Sequence, residues 1–298
     1  MGVTLKWIGH AVRGLRSFAY GPSGNGRARI GLALGGGFAR GIAHVGVLRV
    51  FEQNHIPIDF LAGTSVGALV GAAYASGASL DEMAQQGVET TFRDFGRWTL
   101  SRMGMASNER LEHYLHKFTR AHTFEELRIP LAIVATDLIS GESVYFTDGE
   151  ISPALRASCA YPGLFLPIEY RDRCLVDGFL TESVPTGAVR AMGANFVVGV
   201  HLEPGLLHDK PRNTIEVISR SFSIIQTRAQ SPWREGADIV IEPDVHDFLW
   251  DEFARTPDLI AAGEAATRQA LPEIRAALAQ KFPAEEAEAG ERNSSENL

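Results

Sequence analysis

Apolar residues along this chain fall into two rhythms. Short unbroken runs, Arg29-Ile-Gly-Leu-Ala-Leu34 and Ile58-Asp-Phe-Leu-Ala62, each lead into a glycine-containing turn and then into a stretch of helical pattern, at about 42–53 and 68–76. A run of about 4–8 apolar residues bounded by turns reads as a strand buried on both faces. Strand, tight turn and helix, repeated, predict an α/β fold with a mostly parallel central sheet flanked by helices. Further strands are expected at 131–137, 143–146, 174–176, 196–201 and 239–241. Helices are expected at about 80–88, 108–118, 153–159, 185–192, 213–228 and 257–280.

The same patterning sets the boundaries. In residues 1–28, Leu5, Ile8, Val12, Leu15 and Phe18 recur at helical spacing with Lys6, His10 and Arg13 between them, an amphipathic lead-in ended by Gly21-Pro-Ser-Gly-Asn-Gly26. Such a helix either caps the core or rests on a membrane surface. Residues 29–282 form the domain, with no Pro/Ser/Gly-rich linker inside, and 283–298 read as a disordered acidic tail.

Composition narrows the class. The 298 residues are 45% hydrophobic and 21% charged, enough to bury a large core, and the net charge of -8 argues against nucleic acid as a partner. Two cysteines, Cys159 and Cys174, make no disulfide framework, and no apolar run reaches the 18 or so residues of a membrane span, so a cytoplasmic protein is expected. Transient membrane-surface contact and a homo-oligomer are both compatible with this sequence.

Three segments carry chemistry. Gly63-Thr64-Ser65-Val66-Gly67 fits G-x-S-x-G and lies between a strand and a helix, the setting in which a strained turn exposes a serine hydroxyl as nucleophile. The flanking Gly63 and Gly67 remove side chains that would collide with neighbouring backbone. Upstream, Gly35, Gly36 and Gly37 sit between the first strand and helix, where backbone N–H groups converge on an anion. Ile42 and Ala43 replace the Lys and Ser/Thr of a P-loop, and Arg40 replaces the third glycine of a dinucleotide fingerprint, which leaves an oxyanion hole. The third segment, Leu175-Val176-Asp177-Gly178, places an acid at the end of a short apolar strand, though an Asp-Gly pair by itself reads as a turn.

Taken in order, Gly-Gly-Gly-x-x-Arg-Gly at 35–41, Gly-Thr-Ser-Val-Gly at 63–67, Ser158-Cys-Ala-Tyr-Pro-Gly-Leu-Phe-Leu-Pro167 and Val176-Asp-Gly178 resemble the patatin-like phospholipases, most closely their bacterial single-domain branch, over roughly residues 29–270. The resemblance implies a three-layer sandwich and a hydrolase of lipid or simpler esters. It implies Ser65 as nucleophile, Asp177 as its base, backbone N–H groups of Gly35, Gly36 and Gly37 as the oxyanion hole, and Arg40 ordering that loop or meeting a lipid phosphate. A carboxylate serving as base works best in a partly apolar site that raises its pKa, which Phe165, Leu166 and Phe179 are placed to provide. No cofactor and no metal are expected, since no Cys/His ligand cluster is visible. Two departures lie beside the acid: Phe179 stands where the family often has Gly or Ala, and Glu182 and Ser183 replace its usual asparagines.

Two other readings compete. One is a lipid-binding regulatory protein with little catalysis; the other is a Ser-Asp-His esterase that uses His201, His208 or His246. The segment 92–105, with Phe92, Trp98 and Met105 among three arginines, reads equally well as a membrane-dipping lid or as a surface excursion packed on the core. His44, on the first helix, reads as a buried or capping histidine.

Overall fold

Strand β1 (Ile30–Leu34) and strand β2 (Phe60–Thr64) lie side by side and parallel at the centre of the molecule, with helix α1 (Ala43–Gln53) connecting them and α2 (Val66–Ser76) following. Every residue of both strands is buried, as their unbroken apolar sequences require. This is a computed structural model that describes residues 27–99, 101–115, 117, 119–203, 210–211, 213–228 and 232–283. The lead-in and the acidic tail therefore lie outside the described residues, apart from Arg27, Ala28 and Pro283.

The chain continues through α3 (Leu80–Glu89), whose Ser79 and Glu82 form a reciprocal capping box. A small antiparallel pair follows, β3 (Arg97–Trp98) with β4 (Ala106–Ser107). Then come β5 (Leu131–Asp137), β6 (Ser143–Phe146), α4 (Ile151–Ser158), β7 (Ile168–Tyr170), β8 (Arg173–Asp177), α5 (Thr186–Met192), β9 (Phe196–Val200), α6 (Thr214–Arg228), β10 (Ile239–Ile241) and α7 (Thr256–Lys281). The main sheet runs β10-β9-β1-β2-β5-β8-β7, with β6 also pairing β5. Its first five strands in that order are parallel; β6, β8 and β7 pair antiparallel. The fold is thus α/β with a mostly parallel central sheet flanked by helices. One core, built from α1, α2, α4 and α7, covers one face, and a smaller core around α5 and Trp233 covers the other.

The expected strands sit close to where hydrophobicity places them; β3 and β4, of two residues each, were not expected, and two further differences stand out. β2 occupies 60–64 rather than 58–62, because the Asp59 carboxylate accepts the Ile30 amide at 2.8 Å and closes the strand's start. β7 was not expected: it has three half-exposed or exposed residues after Pro167, too few for any alternation to register.

The register at β5 positions everything that follows. β2 pairs with β5 as far as Thr64 opposite Val134, and β8 pairs with β5 from Asp177 opposite Ala135. β6 pairs with Ile133 through Thr136, overlapping both partners, so β6 takes one edge of β5 and β2 and β8 share the other. β2 runs parallel to β5 and β8 antiparallel. Their C-terminal ends therefore meet head-on, Thr64 next to Asp177.

Candidate active site

At that meeting point the chain turns sharply. Ser65 has φ 55° and ψ −124°, a region that a residue with a Cβ adopts only under strain, and α2 begins at the next residue. The turn closes only with glycines around it. A Cβ on Gly63 would lie 2.4 Å from the Ala68 Cα, and one on Gly67 would lie 2.2 Å from the Leu34 carbonyl oxygen. The strained geometry is held by Ser158 at the end of α4, whose fully buried hydroxyl accepts the Ser65 N–H at 2.8 Å. The amide of Asp177 donates to the Ala160 carbonyl at 3.0 Å, so a single segment, 158–160, ties down both residues. Ser158 carried no signal beyond its place in the Ser-Cys-Ala-Tyr-Pro run.

Asp177 is 1% exposed. Burial pushes its carboxyl up to about 7, partly offset by hydrogen bonding from the Ser65 side chain and the Phe179 amide; the latter reaches Oδ1 at 3.1 Å. Oδ2 is buried without a full hydrogen bond, and the Ser65 hydroxyl is the side-chain donor beside the carboxylate. A looser contact of this kind is common before substrate binds. The Cys159 thiol completes the group: burial and the Asp177 charge push its pKa well above the usual thiol range.

The glycine loop lies across from Ser65. A Cβ placed on Gly36 would come 3.5 Å from the Ser65 Cβ. The amide of Gly35 donates to the Val200 carbonyl at 3.0 Å and that of Gly36 to the Ser183 carbonyl at 3.2 Å, whereas the Gly37 amide has no partner among the described residues. Of the three glycines, Gly37 therefore offers the amide available to a ligand. Arg40 donates from Nε to the Gly37 carbonyl at 3.3 Å, makes no ion pair among the described residues, and is lowered by burial to about 10. Below the loop, His44 is fully buried and lowered to about 4, hence neutral, and its Nε2–H donates to the Gly35 carbonyl at 2.8 Å.

These residues open onto one cavity of about 320 Å³, lined by Gly36, Gly37, Arg40, Ser65 and Asp177 together with rings from Phe38, Tyr161, Phe179, Phe222, Phe248 and Trp250. Phe179, unusual for its position, stacks on Tyr161 with centroids 5.0 Å apart. Phe165 packs behind Tyr161, and Gly63 and Gly67 stay beneath the turn. His201 and His246 also line the cavity. His201 Nδ1 pairs with Glu242 at 3.1 Å, and neither imidazole is bonded to Ser65 or Asp177; His208 lies outside the described residues. Among the described residues no group of three or more His, Cys, Asp or Glu is arranged to hold a metal ion, and no helix is long and apolar enough to cross a membrane.

The sequence profile of the patatin-like phospholipases matches residues 32–190, just over half of the chain. An uncharacterized NTE family protein of Mycobacterium tuberculosis is 35% identical over 204 residues, covering 66% of this chain and 56% of that protein. Lysophospholipase NTE1 of Mycosarcoma maydis is 30% identical over 227 residues, 74% of this chain and 12% of that protein. This chain thus spans little more than half of the first relative and a small part of the second. Among solved structures, VipD from Legionella pneumophila aligns over 83% of this chain and 67% of its own, with TM-score 0.48 and 13% identity. The profile covers the first strand, the glycine loop, the serine turn and the strand that carries Asp177, and on that match the chain belongs to the patatin-like phospholipase family.

Proposed function

We propose that this protein is a serine acyl-ester hydrolase of lipids, of phospholipase or lysophospholipase type, in which Ser65 is the nucleophile and Asp177 its base. The observation that carries this reading is the abutment of β2 and β8 on one edge of β5, which puts the Ser65 side chain beside a buried carboxylate with no imidazole of the described residues between them. In the reaction, Ser65 Oγ attacks the ester carbonyl carbon as its proton passes to Asp177. The oxyanion that forms takes up the Gly37 amide, with the N-terminal end of α2 adding a positive dipole. Collapse expels the alcohol, which receives the proton from Asp177, and leaves an acyl-serine. Asp177 then takes a proton from water, the resulting hydroxide attacks the acyl group, and the free acid leaves as Ser65 is reprotonated. Arg40, a cation in the cavity wall with no carboxylate partner among the described residues, suits an anionic part of the substrate.

A lipid surface is the partner we assign to the rim of this cavity. Among the described residues, exposed large apolar side chains include Trp98, Met103 and Met105 around the β3–β4 pair, Leu138 and Ile139 after β5, Leu180, Leu249, and Val217, Ile224 and Ile225 on α6, and Ile224 and Leu249 line the cavity itself. Rings link this rim to the cavity, from Trp98 through Phe92 and Trp250 to Phe38. Arg93, Arg97 and Arg102 flank Trp98 in a chain of net charge -8, a placement that suits anionic headgroups.

A fluorophosphonate probe tests the core of the proposal. Wild-type protein is expected to be labelled at Ser65, located by peptide mass spectrometry, and Ser65→Ala is expected to show neither labelling nor hydrolysis of p-nitrophenyl esters. Wild type that resists labelling would overturn the assignment. If instead it bound liposomes tightly without hydrolysing any ester class, the regulatory reading would replace it.

A further inference from the structure

The loop after Asp177 touches each part of the site, and its own anchor lies outside the cavity. The Glu182 carbonyl accepts the Thr64 hydroxyl at 2.8 Å, one residue before the nucleophile. The next carbonyl, that of Ser183, accepts the Gly36 amide of the glycine loop at 3.2 Å. Behind them the Glu182 amide donates to Gly178 at 2.9 Å, and the Thr181 and Thr136 hydroxyls meet at 2.9 Å. The serine turn, the glycine loop and the segment that follows Asp177 therefore converge on residues 178–183.

The Glu182 side chain adds a further tie. It does not line the cavity and accepts a hydrogen bond from the Tyr145 hydroxyl on β6, with the Ser143 hydroxyl beside it. The contact is part-buried, and burial pushes the Glu182 carboxyl up to about 7. An asparagine, usual here in the resemblance drawn from sequence, is one methylene shorter than a residue that reaches β6.

We infer that Glu182 is a positioning residue: by pinning residues 178–183 to β6 it holds the serine turn and the glycine loop in register with Asp177. This rests on the assignment of Ser65 and Asp177 above and deepens it. Truncating the side chain frees both carbonyl contacts to shift, and a displacement of about 1 Å in such an arrangement costs on the order of 100-fold in rate.

The test uses the full chain with Glu182→Ala, Glu182→Gln and Tyr145→Phe, compared by fluorophosphonate labelling rate and by kcat and KM on a soluble p-nitrophenyl ester. For Glu182→Ala both the labelling rate and kcat are expected to fall by roughly 10- to 100-fold with KM within about twofold, while Glu182→Gln, which keeps the acceptor, restores them to within about threefold. Tyr145→Phe, a milder change that preserves packing, is expected to fall in between and serves if the alanine variant does not fold. Wild-type rates in Glu182→Ala or Tyr145→Phe, or Glu182→Gln no better than Ala, would overturn the inference. Wild type that is not labelled at all overturns the Ser65 assignment, and this inference with it; labelled wild type with unaffected variants overturns this inference alone.

Discussion

A carboxyl buried beside a serine hydroxyl and one amide holds its proton more tightly than in water, and for Asp177 that has two consequences. The base must be ionised to accept the serine proton, so kcat/KM on a soluble ester is expected to rise with pH and level off above about 7; a flat profile between pH 5 and 9 would count against Asp177 as base. Asp177→Asn keeps the shape but loses the base, and a fall of about 100- to 10,000-fold in kcat is expected. The second consequence concerns stability. The folded pKa of about 7 lies above the ordinary carboxyl value of 3.8, so the folded state binds the extra proton between these values. Stability from this group is complete below about pH 4 and is lost as pH rises through 7. Asp177→Asn, neutral throughout, should therefore be more stable than wild type at pH 8, by at most about 4 kcal/mol, and the gap should close towards pH 4. Thermal melts at the two pH values check this, and equal melting temperatures at pH 8 would refute it. The G-x-S-x-G turn at Ser65 was legible from its own residues, and Asp177 was singled out by the family resemblance. The burial that tunes Asp177, the Ser158 hydroxyl that holds the strained turn, and the engagement of the Gly35 and Gly36 amides were not, because each depends on a partner distant in sequence.

Among the elements, α1 and α7 show how local sequence and long-range packing divide the labour. Both were legible from helical periodicity, α7 even across Pro272. Their mutual approach was not. A Cβ on Gly46 would come 2.1 Å from the Ile260 carbonyl oxygen and one on Gly263 would come 1.9 Å from that of Ala43, so the two backbones touch where they cross. Gly263→Ala must push the helices apart, and a loss of about 1–3 kcal/mol is expected, read as a lower urea midpoint with an unchanged slope. An unchanged midpoint would mean that the crossing relaxes without cost. Since α1 carries His44, which holds the Gly35 carbonyl, the same crossing supports the glycine loop. The antiparallel strands β7 and β8 mark the other limit. Asp177 was placed at a strand end by its apolar neighbours, but neither the direction of that strand nor its partner was readable, since pairing is chosen by the sheet and not by the strand.

At the scale of the molecule, the proposed contact with a lipid surface is tested on the exposed apolar side chains. The double variant Trp98→Ala with Met103→Ser removes two exposed side chains, 62% and 61% accessible, that touch no catalytic group. On vesicles of phosphatidylcholine with phosphatidylglycerol, sedimentation and hydrolysis are expected to fall by about tenfold, while turnover of a soluble ester stays within about twofold. Unchanged vesicle binding would assign the contact to another surface. The division between sequence and structure is clear at this scale. The sequence by itself determined the strand-turn-helix units, the glycines that let the chain turn, and the serine at the apex, because each follows from steric and hydrophobic rules acting within about ten residues. Only the tertiary structure decided that β2 and β8 end against each other on one edge of β5, and with that the meeting of Ser65 and Asp177, the dry setting of the carboxylate and the anchoring of its loop at Glu182. Those arise from pairings between residues about 40 to 70 positions apart, fixed by which faces the whole core can bury together and carried by no local pattern.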